Sequence, residues 1–226
     1  MRFSRITSAD ALERLVDDVG FVPLFDGSIR GFSVYSLTDP SRWWTGDERT
    51  DPWQWRIELA ARGDAAYGKL LEKKAAFVSR ELYPLFANMR REGYDFDARY
   101  EDGKARSKEK RIMDIFSGTK KVLPSNEIKA RAGFGSAGEG GFEGALTSLE
   151  MQTYLSVRGM ERRRSKTGEE YGWPVALLSS SEALFGAKHV RSRYREEPEE
   201  SKERLVEHLL RIFPGIARSQ AERFLK

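Results

Sequence analysis

A chain of 226 residues, of which 39% are hydrophobic and 33% charged, can form a hydrophobic core under a large solvated surface, which excludes a disordered tail. Cysteine is absent, and His189 and His208 are not spaced as metal ligands, so the sequence predicts no disulfide, no metal site and no other cofactor. The net charge is +4 and no apolar run approaches the roughly 20 residues that span a bilayer, so we expect a cytoplasmic protein that does not enter a membrane.

The first predicted element is a helix near the N-terminus. It begins after Thr7 or Ser8, whose side chains can cap a helix, and it ends at Gly20. Its apolar stripe consists of Leu12, Leu15, Val16 and Val19. Because these residues recur at helical spacing, we expect one face of the helix to pack against a core.

The segment 41–56 contains four of the five tryptophans of the chain, all within residues 43–55. Large aromatic side chains without regular spacing most often anchor an irregular segment onto the helices behind it, and we prefer this interpretation. The alternative is a stacking platform for an exposed base, in which Trp53 and Trp55 stack and Gln54 supplies a polar group.

Two segments follow before the basic half of the chain. Residues 64–91 carry an apolar stripe at helical spacing and are predicted to be mostly helical, with breaks at Gly68 and Pro84. Residues 93–108 are polar and are predicted to form a loop or a loose hairpin. A soft domain boundary is expected within this polar segment.

Residues 108–178 carry the pattern of a winged helix, in which three helices precede a two-stranded ribbon. The first helix occupies residues 108–117, the second begins after Ser125 and the third begins near Phe142. After the third helix the apolar period changes from 3.6 to 2, which indicates two strands joined by a turn. Pro174 confines the second strand to a sheet edge.

The predicted wing is the strongest candidate for contact with nucleic acid. Its tip carries the cations Arg162, Arg163, Arg164 and Lys166. Such a tip fits a phosphate backbone, and residues 104–131 add nine basic against three acidic side chains. The third helix offers Thr147 and Ser148, which lack the bidentate reach that strong base recognition needs.

These elements predict three regions. Residues 1–103 form a mostly helical N-terminal region with the tryptophan-rich segment, residues 104–180 a winged-helix domain, and residues 181–226 C-terminal helices that pack on it. The predicted fold class is mainly α with small β-hairpins (α+β), a winged helix-turn-helix with additional N-terminal and C-terminal helices. The oligomeric state stays open.

Five short segments carry a family resemblance. They read DPWQWR at 51–56, AYGK at 66–69, YDFD at 94–97, LTSLEMQTYL at 146–155 and YGWP at 171–174. Together they resemble a group of bacterial proteins related to the AlkZ, or YcaQ-like, DNA glycosylases, and the resemblance covers most of the chain. Those enzymes are built from winged-helix domains and excise alkylated or crosslinked bases. The resemblance therefore implies a winged-helix fold and double-stranded DNA as a partner.

The resemblance also implies a position for chemistry. The glycosylase signature is Gln, an apolar residue and then Gln or Asp, which orients the attacking water. Its nearest match is Glu150-Met151-Gln152, where Glu stands in place of the first Gln and could act as a general base. On a helix, residues two apart point in different directions, so Glu150 and Gln152 converge on one water only if the segment is extended.

Two functional hypotheses follow. The first is a winged-helix DNA-binding protein, related to bacterial repair glycosylases, that lacks the standard catalytic pair. The alternative is an active DNA glycosylase that excises alkylated bases by base flipping and water attack. In that case Glu150, Gln152 or Gln54 lies near the water and Trp53 or Trp55 stacks on the base. A protein-interaction module with a solvated wing is a third, plainer alternative.

Overall fold

A computed structural model describes residues 3–135, 140–165 and 167–226, with the backbone alone for Arg164. The helices are α1 (Ala9–Val19), α2 (Val34–Leu37), α3 (Pro52–Arg62), α4 (Tyr83–Arg91), α5 (Phe96–Glu101), α6 (Ser107–Asp114), α7 (Ser125–Arg131), α8 (Phe142–Met151), α9 (Ser181–Phe185), α10 (Ala187–Val190), α11 (Pro198–Ile212) and α12 (Arg218–Phe224). The strands are β1 (Phe21–Pro23), β2 (Ala65–Leu71), β3 (Lys74–Ser79), β4 (Leu123–Pro124), β5 (Leu155–Arg164) and β6 (Glu170–Ser180).

The strands form one six-stranded antiparallel sheet in the order β1-β3-β2-β5-β6-β4. The α+β class is therefore confirmed, although the sheet is larger than the small hairpins that the sequence predicts. Strands β2 and β5 join its two halves, with Tyr67 opposite Val157. The sheet thus connects residues from both sides of position 103, while the division into three regions stays a prediction.

The N-terminal helix is confirmed. The hydroxyl of Ser8 accepts a hydrogen bond from the amide of Ala11, and Gly20 ends the helix in the left-handed region at a φ of 89°. Three of the four predicted stripe residues are buried, and Leu15 is half-buried. Local capping chemistry and helical spacing agree here, which explains why the sequence was sufficient.

The helical prediction for residues 64–91 is wrong over its first half. That half forms the hairpin of β2 and β3, in which Glu72 and Lys73 turn the chain at positive φ, and only α4 is helical. Six of the seven residues of β2 and four of the six residues of β3 are buried. A strand covered on both faces is apolar without alternation, so its sequence resembles a buried helix.

The predicted polar loop at residues 93–108 is also wrong in part, because α5 lies within it. The carboxylate of Asp95 caps this helix by accepting a hydrogen bond from the amide of Ala98 at 3.0 Å. Phe96 is buried, with its ring 5.1 Å from that of Tyr154. One aromatic anchor therefore fixes a short helix that has too few apolar residues for a periodic signal.

Between residues 107 and 180 the elements follow the order α6, β4, α7, α8, β5, β6. Strand β4 has only two residues and was not predicted from the sequence. It pairs with the end of β6, with Leu123 opposite Leu178, so the predicted edge position of β6 is wrong for this part of the strand. Pro174 lies before the part of β6 that pairs with β4. Its lack of an N–H group therefore costs no hydrogen bond to β4.

The C-terminal helices contact the N-terminal half of the chain. The side-chain amide of Asn88 on α4 donates a hydrogen bond to the hydroxyl of Ser201 on α11 at 2.9 Å. Phe224 on α12 packs against Phe21 with ring centroids 5.5 Å apart. Among the helices of the described ranges, none is long and apolar enough to cross a membrane.

Candidate functional site

The hairpin of β5 and β6 carries the predicted basic tip. Arg162 and Arg163 are exposed, and the side chain of neither forms an ion pair or a hydrogen bond with another described residue. Lys166 and the side chain of Arg164 lie outside the described residues. The base of the tip is held by a hydrogen bond from the amide of Ser165 to the carbonyl of Glu169 at 2.8 Å. At least two arginines are therefore open to a ligand at this end of the sheet.

Two aromatic side chains lie on the same hairpin. Arg163 pairs with Tyr171 and Glu161 with Val175, so the register shifts between them and Trp173 falls within the irregular part. Trp173 is 87% exposed and Tyr171 is exposed as well. The period of 2 that the sequence predicts is therefore interrupted within β6, because a register shift breaks the alternation of side chains.

The polar residues predicted on the third helix are engaged with neighbours. Thr147 accepts a hydrogen bond from the ammonium group of Lys69 at 3.2 Å, and Ser148 accepts one from the side-chain amide of Gln152 at 2.8 Å. Both are half-buried. They can reach a ligand only as part of this network.

Glu150 lies on the buried face of α8, against β2, and is 6% exposed. Its Oε2 accepts a hydrogen bond from the backbone amide of Lys69 at 2.7 Å. A Cβ atom at Gly68 would lie 2.9 Å from the same oxygen, closer than side-chain atoms tolerate. The glycine at position 68 therefore makes room for the carboxyl group.

Burial raises the pKa of Glu150 to about 7, against the opposing effects of the Lys69 amide and the Lys69 charge. The nearby carboxylate of Glu143 raises this pKa further. Near neutral pH the group is divided between its acid and its carboxylate forms. A carboxyl with this pKa is suited to proton transfer at physiological pH.

Glu150 and Gln152 do not converge. Glu150 contacts β2, whereas the amide nitrogen of Gln152 bonds to Ser148 and its oxygen is buried without a hydrogen-bond partner in the described ranges. Gln152 borders a cavity of about 460 Å³, which is also lined by Met89, Arg90 and the end of α12. The helical geometry through Met151 separates the two side chains, as residues two apart on a helix must be.

The tryptophan-rich segment leads into α3 and is anchored by Asp51. This buried carboxylate caps the helix at the amide of Trp53 and also accepts hydrogen bonds from the amides of Trp44 and Gly46. Trp55 is 2% exposed and donates to the carbonyl of Arg49, so neither face of its ring is open in this conformation.

Trp53 is half-buried and Trp44 is 60% exposed, with ring centroids 6.3 Å apart. Gln54 is half-buried in the first turn of α3, and its side chain forms no hydrogen bond within the described residues. The predicted stacking residues therefore lie in one aromatic cluster but differ in exposure. Gln54 forms no hydrogen bond with Glu150.

Arg56 and Tyr67 extend the buried polar region from Glu150 toward α3. Burial raises the pKa of the Tyr67 phenol, while the neighbouring Arg56 opposes the shift and Glu150 adds to it. The guanidinium carbon of Arg56 lies 3.6 Å from the centroid of the Trp53 ring. The described residues contain no cluster of three or more acidic or histidine side chains that could hold a metal ion.

The sequence matches the family described as AlkZ related over residues 6–226. The chain belongs to the AlkZ-related family. The resemblance inferred from five short segments is therefore confirmed, and membership relates the protein to DNA-repair glycosylases. Comparison with curated proteins and with solved structures finds no match.

In this AlkZ-related protein, three of the five segments meet around the buried carboxyl. DPWQWR supplies Arg56, AYGK supplies Tyr67 and Lys69, and the segment 146–155 supplies Glu150. Sequence reasoning did not single out Arg56, Tyr67 or Lys69 as functional residues. All three residues lie within segments that carry the family resemblance, and this was the one feature of the sequence that could have indicated them. No local pattern shows that these segments are adjacent in space.

Proposed function

We propose that this AlkZ-related protein binds double-stranded DNA through a winged helix formed by residues 107–180. The proposal rests on one observation. At the end of the hairpin of β5 and β6, the side chains of Arg162 and Arg163 are exposed and form no ion pair with another described residue. The order α6, β4, α7, α8, β5, β6, with β6 between β5 and β4, supports the winged-helix assignment. The hairpin then serves as the wing.

The proposed contacts are mainly to phosphates. Arginine and lysine at a wing tip neutralise backbone charge and release counterions, which gives affinity without base recognition. Thr147 and Ser148 on α8 add polar contacts, but their hydrogen bonds to Lys69 and Gln152 limit their reach. The expected binding is therefore weakly dependent on sequence and strongly dependent on salt.

Replacing Arg162, Arg163, Arg164 and Lys166 together by alanine is expected to weaken duplex binding about 30-fold at moderate salt, because four phosphate contacts are lost. The slope of log K against log salt should become shallower by about 3 to 4. Fluorescence anisotropy with a labelled duplex at several salt concentrations measures both quantities.

A matched control carries the same number of charge changes away from the hairpin. Lys188, Arg195, Lys202 and Arg211 lie on or between the C-terminal helices, and their joint replacement by alanine should change affinity much less. Equal affinity and equal salt slope in the hairpin variant and the wild type would refute the proposed interface.

A second candidate function is a glycosylase-like hydrolase, favoured by the carboxyl of Glu150 and its pKa of about 7. In this proposal Glu150 accepts a proton from the attacking water while DNA held by the hairpin presents a flipped base. Trp53 and Trp44 are the proposed stacking residues, because parts of their rings are accessible. Gln54 is the remaining candidate for orienting the water, because the side chain of Gln152 bonds to Ser148 and does not converge with Glu150.

This second candidate predicts abasic product from duplexes that contain alkylated bases. Glu150→Gln should lower single-turnover excision at least about 100-fold, since an amide cannot accept the proton. Gln54→Ala tests the orienting role, and Glu143→Gln is the matched control because Glu143 is an exposed carboxylate on the same helix. Full excision by Glu150→Gln would remove Glu150 from the mechanism.

A further inference from the structure

Arg56 is the least satisfied charged group of the buried polar region. Its side chain is 5% exposed, and its Nε has no hydrogen-bond partner among the described residues. Its Nη1 donates to the thioether sulfur of Met160 at 3.2 Å, and its guanidinium stacks on Trp53. The Tyr67 phenol also hydrogen-bonds to Arg56, but a thioether is a weak acceptor, a ring face gives only a modest attraction and a phenol carries no charge, so the positive charge is only partly compensated.

Burial does not by itself leave an arginine without strong hydrogen-bond acceptors, as a second buried arginine shows. Arg91 is fully buried, but its guanidinium donates to the carboxylate of Glu182 at 2.6 Å, to the phenol of Tyr194 at 3.0 Å and to both oxygens of Thr153. In the described ranges Arg56 has no carboxylate partner at all. A buried charge that is only partly compensated costs free energy, part of which a bound anion would recover.

Met160 links Arg56 to open space. The same residue borders a cavity of about 550 Å³ between the hairpin and the start of α7, where Asn126, Arg162 and Arg163 also lie. Methionine is unbranched and changes rotamer easily, so it can leave the guanidinium without disturbing the strand. The cavity is also lined by the carboxylates of Glu161 and Glu170, so the two exposed arginines and a third cation behind a movable side chain face a lining of mixed charge.

We propose that Arg56 binds a phosphate group that enters from this cavity when the Met160 side chain turns away. The planar guanidinium presents two parallel N–H donors, which match two phosphate oxygens. The inference rests on the proposed function, because the phosphate in question is a backbone phosphate of DNA held by Arg162 and Arg163. Arg56 thus extends the binding surface from the hairpin to α3.

The test compares Arg56→Gln with Arg49→Gln, which removes the same charge from an exposed position just before α3. Duplex affinity should fall about tenfold in Arg56→Gln and by less than about twofold in Arg49→Gln, as expected for one desolvated phosphate contact against a general charge effect. Circular dichroism establishes folding of each variant. If Arg56→Gln does not fold, Arg56→Lys replaces it, with an expected loss of about threefold relative to Arg49→Lys.

Inorganic phosphate provides a second readout that is independent of DNA. It should raise the melting temperature of the wild type and of Arg49→Gln, but leave that of Arg56→Gln unchanged. If the hairpin variant weakens DNA binding while Arg56→Gln matches Arg49→Gln, the role of Arg56 is refuted and the DNA interface stands. If the wild type binds no DNA, the proposed function fails, and the effect of phosphate on the melting temperature tests the Arg56 site by itself. An increase confined to the proteins that retain Arg56 supports the site. The same change in all three proteins, or none in any of them, overturns it.

Discussion

Replacing Arg91 by methionine is expected to lower the free energy of unfolding by about 3 to 5 kcal/mol, the usual cost of breaking a buried ion pair. Methionine fills much of the same volume but supplies no donor. The change leaves the carboxylate of Glu182 and the hydroxyl of Thr153 without their buried donor, while the carbonyl of Thr153 keeps its hydrogen bonds from the hydroxyls of Tyr83 and Ser181. Thr153 is held at a φ of 66°, a left-handed conformation that costs free energy and relies on these bonds.

Urea denaturation of the purified variant measures this loss. Arg191→Met is the matched control, because Arg191 also approaches Glu182, at 3.6 Å, but is exposed. An exposed pair contributes little, so the control should lose less than about 1 kcal/mol. If Arg91→Met loses no more than the control, the bonds to Thr153 and Glu182 do not hold the end of α8 in place.

Replacing Glu150 by glutamine is expected to raise the free energy of unfolding at about pH 8, by up to about 3 kcal/mol. The pKa of Glu150 is about 7 in the folded protein against a model value of 4.5. A raised pKa means that folding favours the protonated form. The stability that Glu150 contributes is therefore present below about pH 4.5 and is lost as the pH rises through 7.

Glutamine stays neutral at every pH and can still accept the hydrogen bond from the Lys69 amide. The difference between variant and wild type should accordingly be small near pH 5 and largest above pH 7, as followed by urea denaturation at a series of pH values. Glu143→Gln should produce a much smaller increase, because it removes only the repulsion between Glu143 and Glu150 and leaves the buried carboxyl in place. A pH-independent difference for Glu150→Gln would contradict the raised pKa.

The two Glu150 experiments are informative together. If the residue acts as a general base, one substitution both increases stability at alkaline pH and abolishes excision, which is the trade-off expected of a strained functional group. A different outcome would be that Glu150→Gln is more stable and binds DNA as before, while the wild type excises no base. Glu150 would then be a buried carboxyl without a catalytic role. The binding proposal for the hairpin is independent of either outcome.

Features that depend on neighbouring residues could be predicted from the amino-acid sequence. Ser8 and Gly20 bound α1 because capping is local, and the three helices and hairpin of residues 107–180 follow from the change in apolar period. The basic tip was equally visible, since charge needs no fold to be recognised. Five short segments were sufficient to indicate the family.

Features that depend on contacts between distant parts of the chain could not be predicted in this way. The hairpin of β2 and β3 is covered on both faces, which removed the alternation that identifies a strand, and its pairing with β5 joins residues about 90 positions apart. The same pairing brings Arg56 and Glu150 to opposite ends of one buried polar region. Whether a charged side chain is exposed or desolvated depends on which parts of the chain pack over it. Burial raises the pKa of Glu150 and leaves the Nε of Arg56 without a hydrogen-bond partner among the described residues.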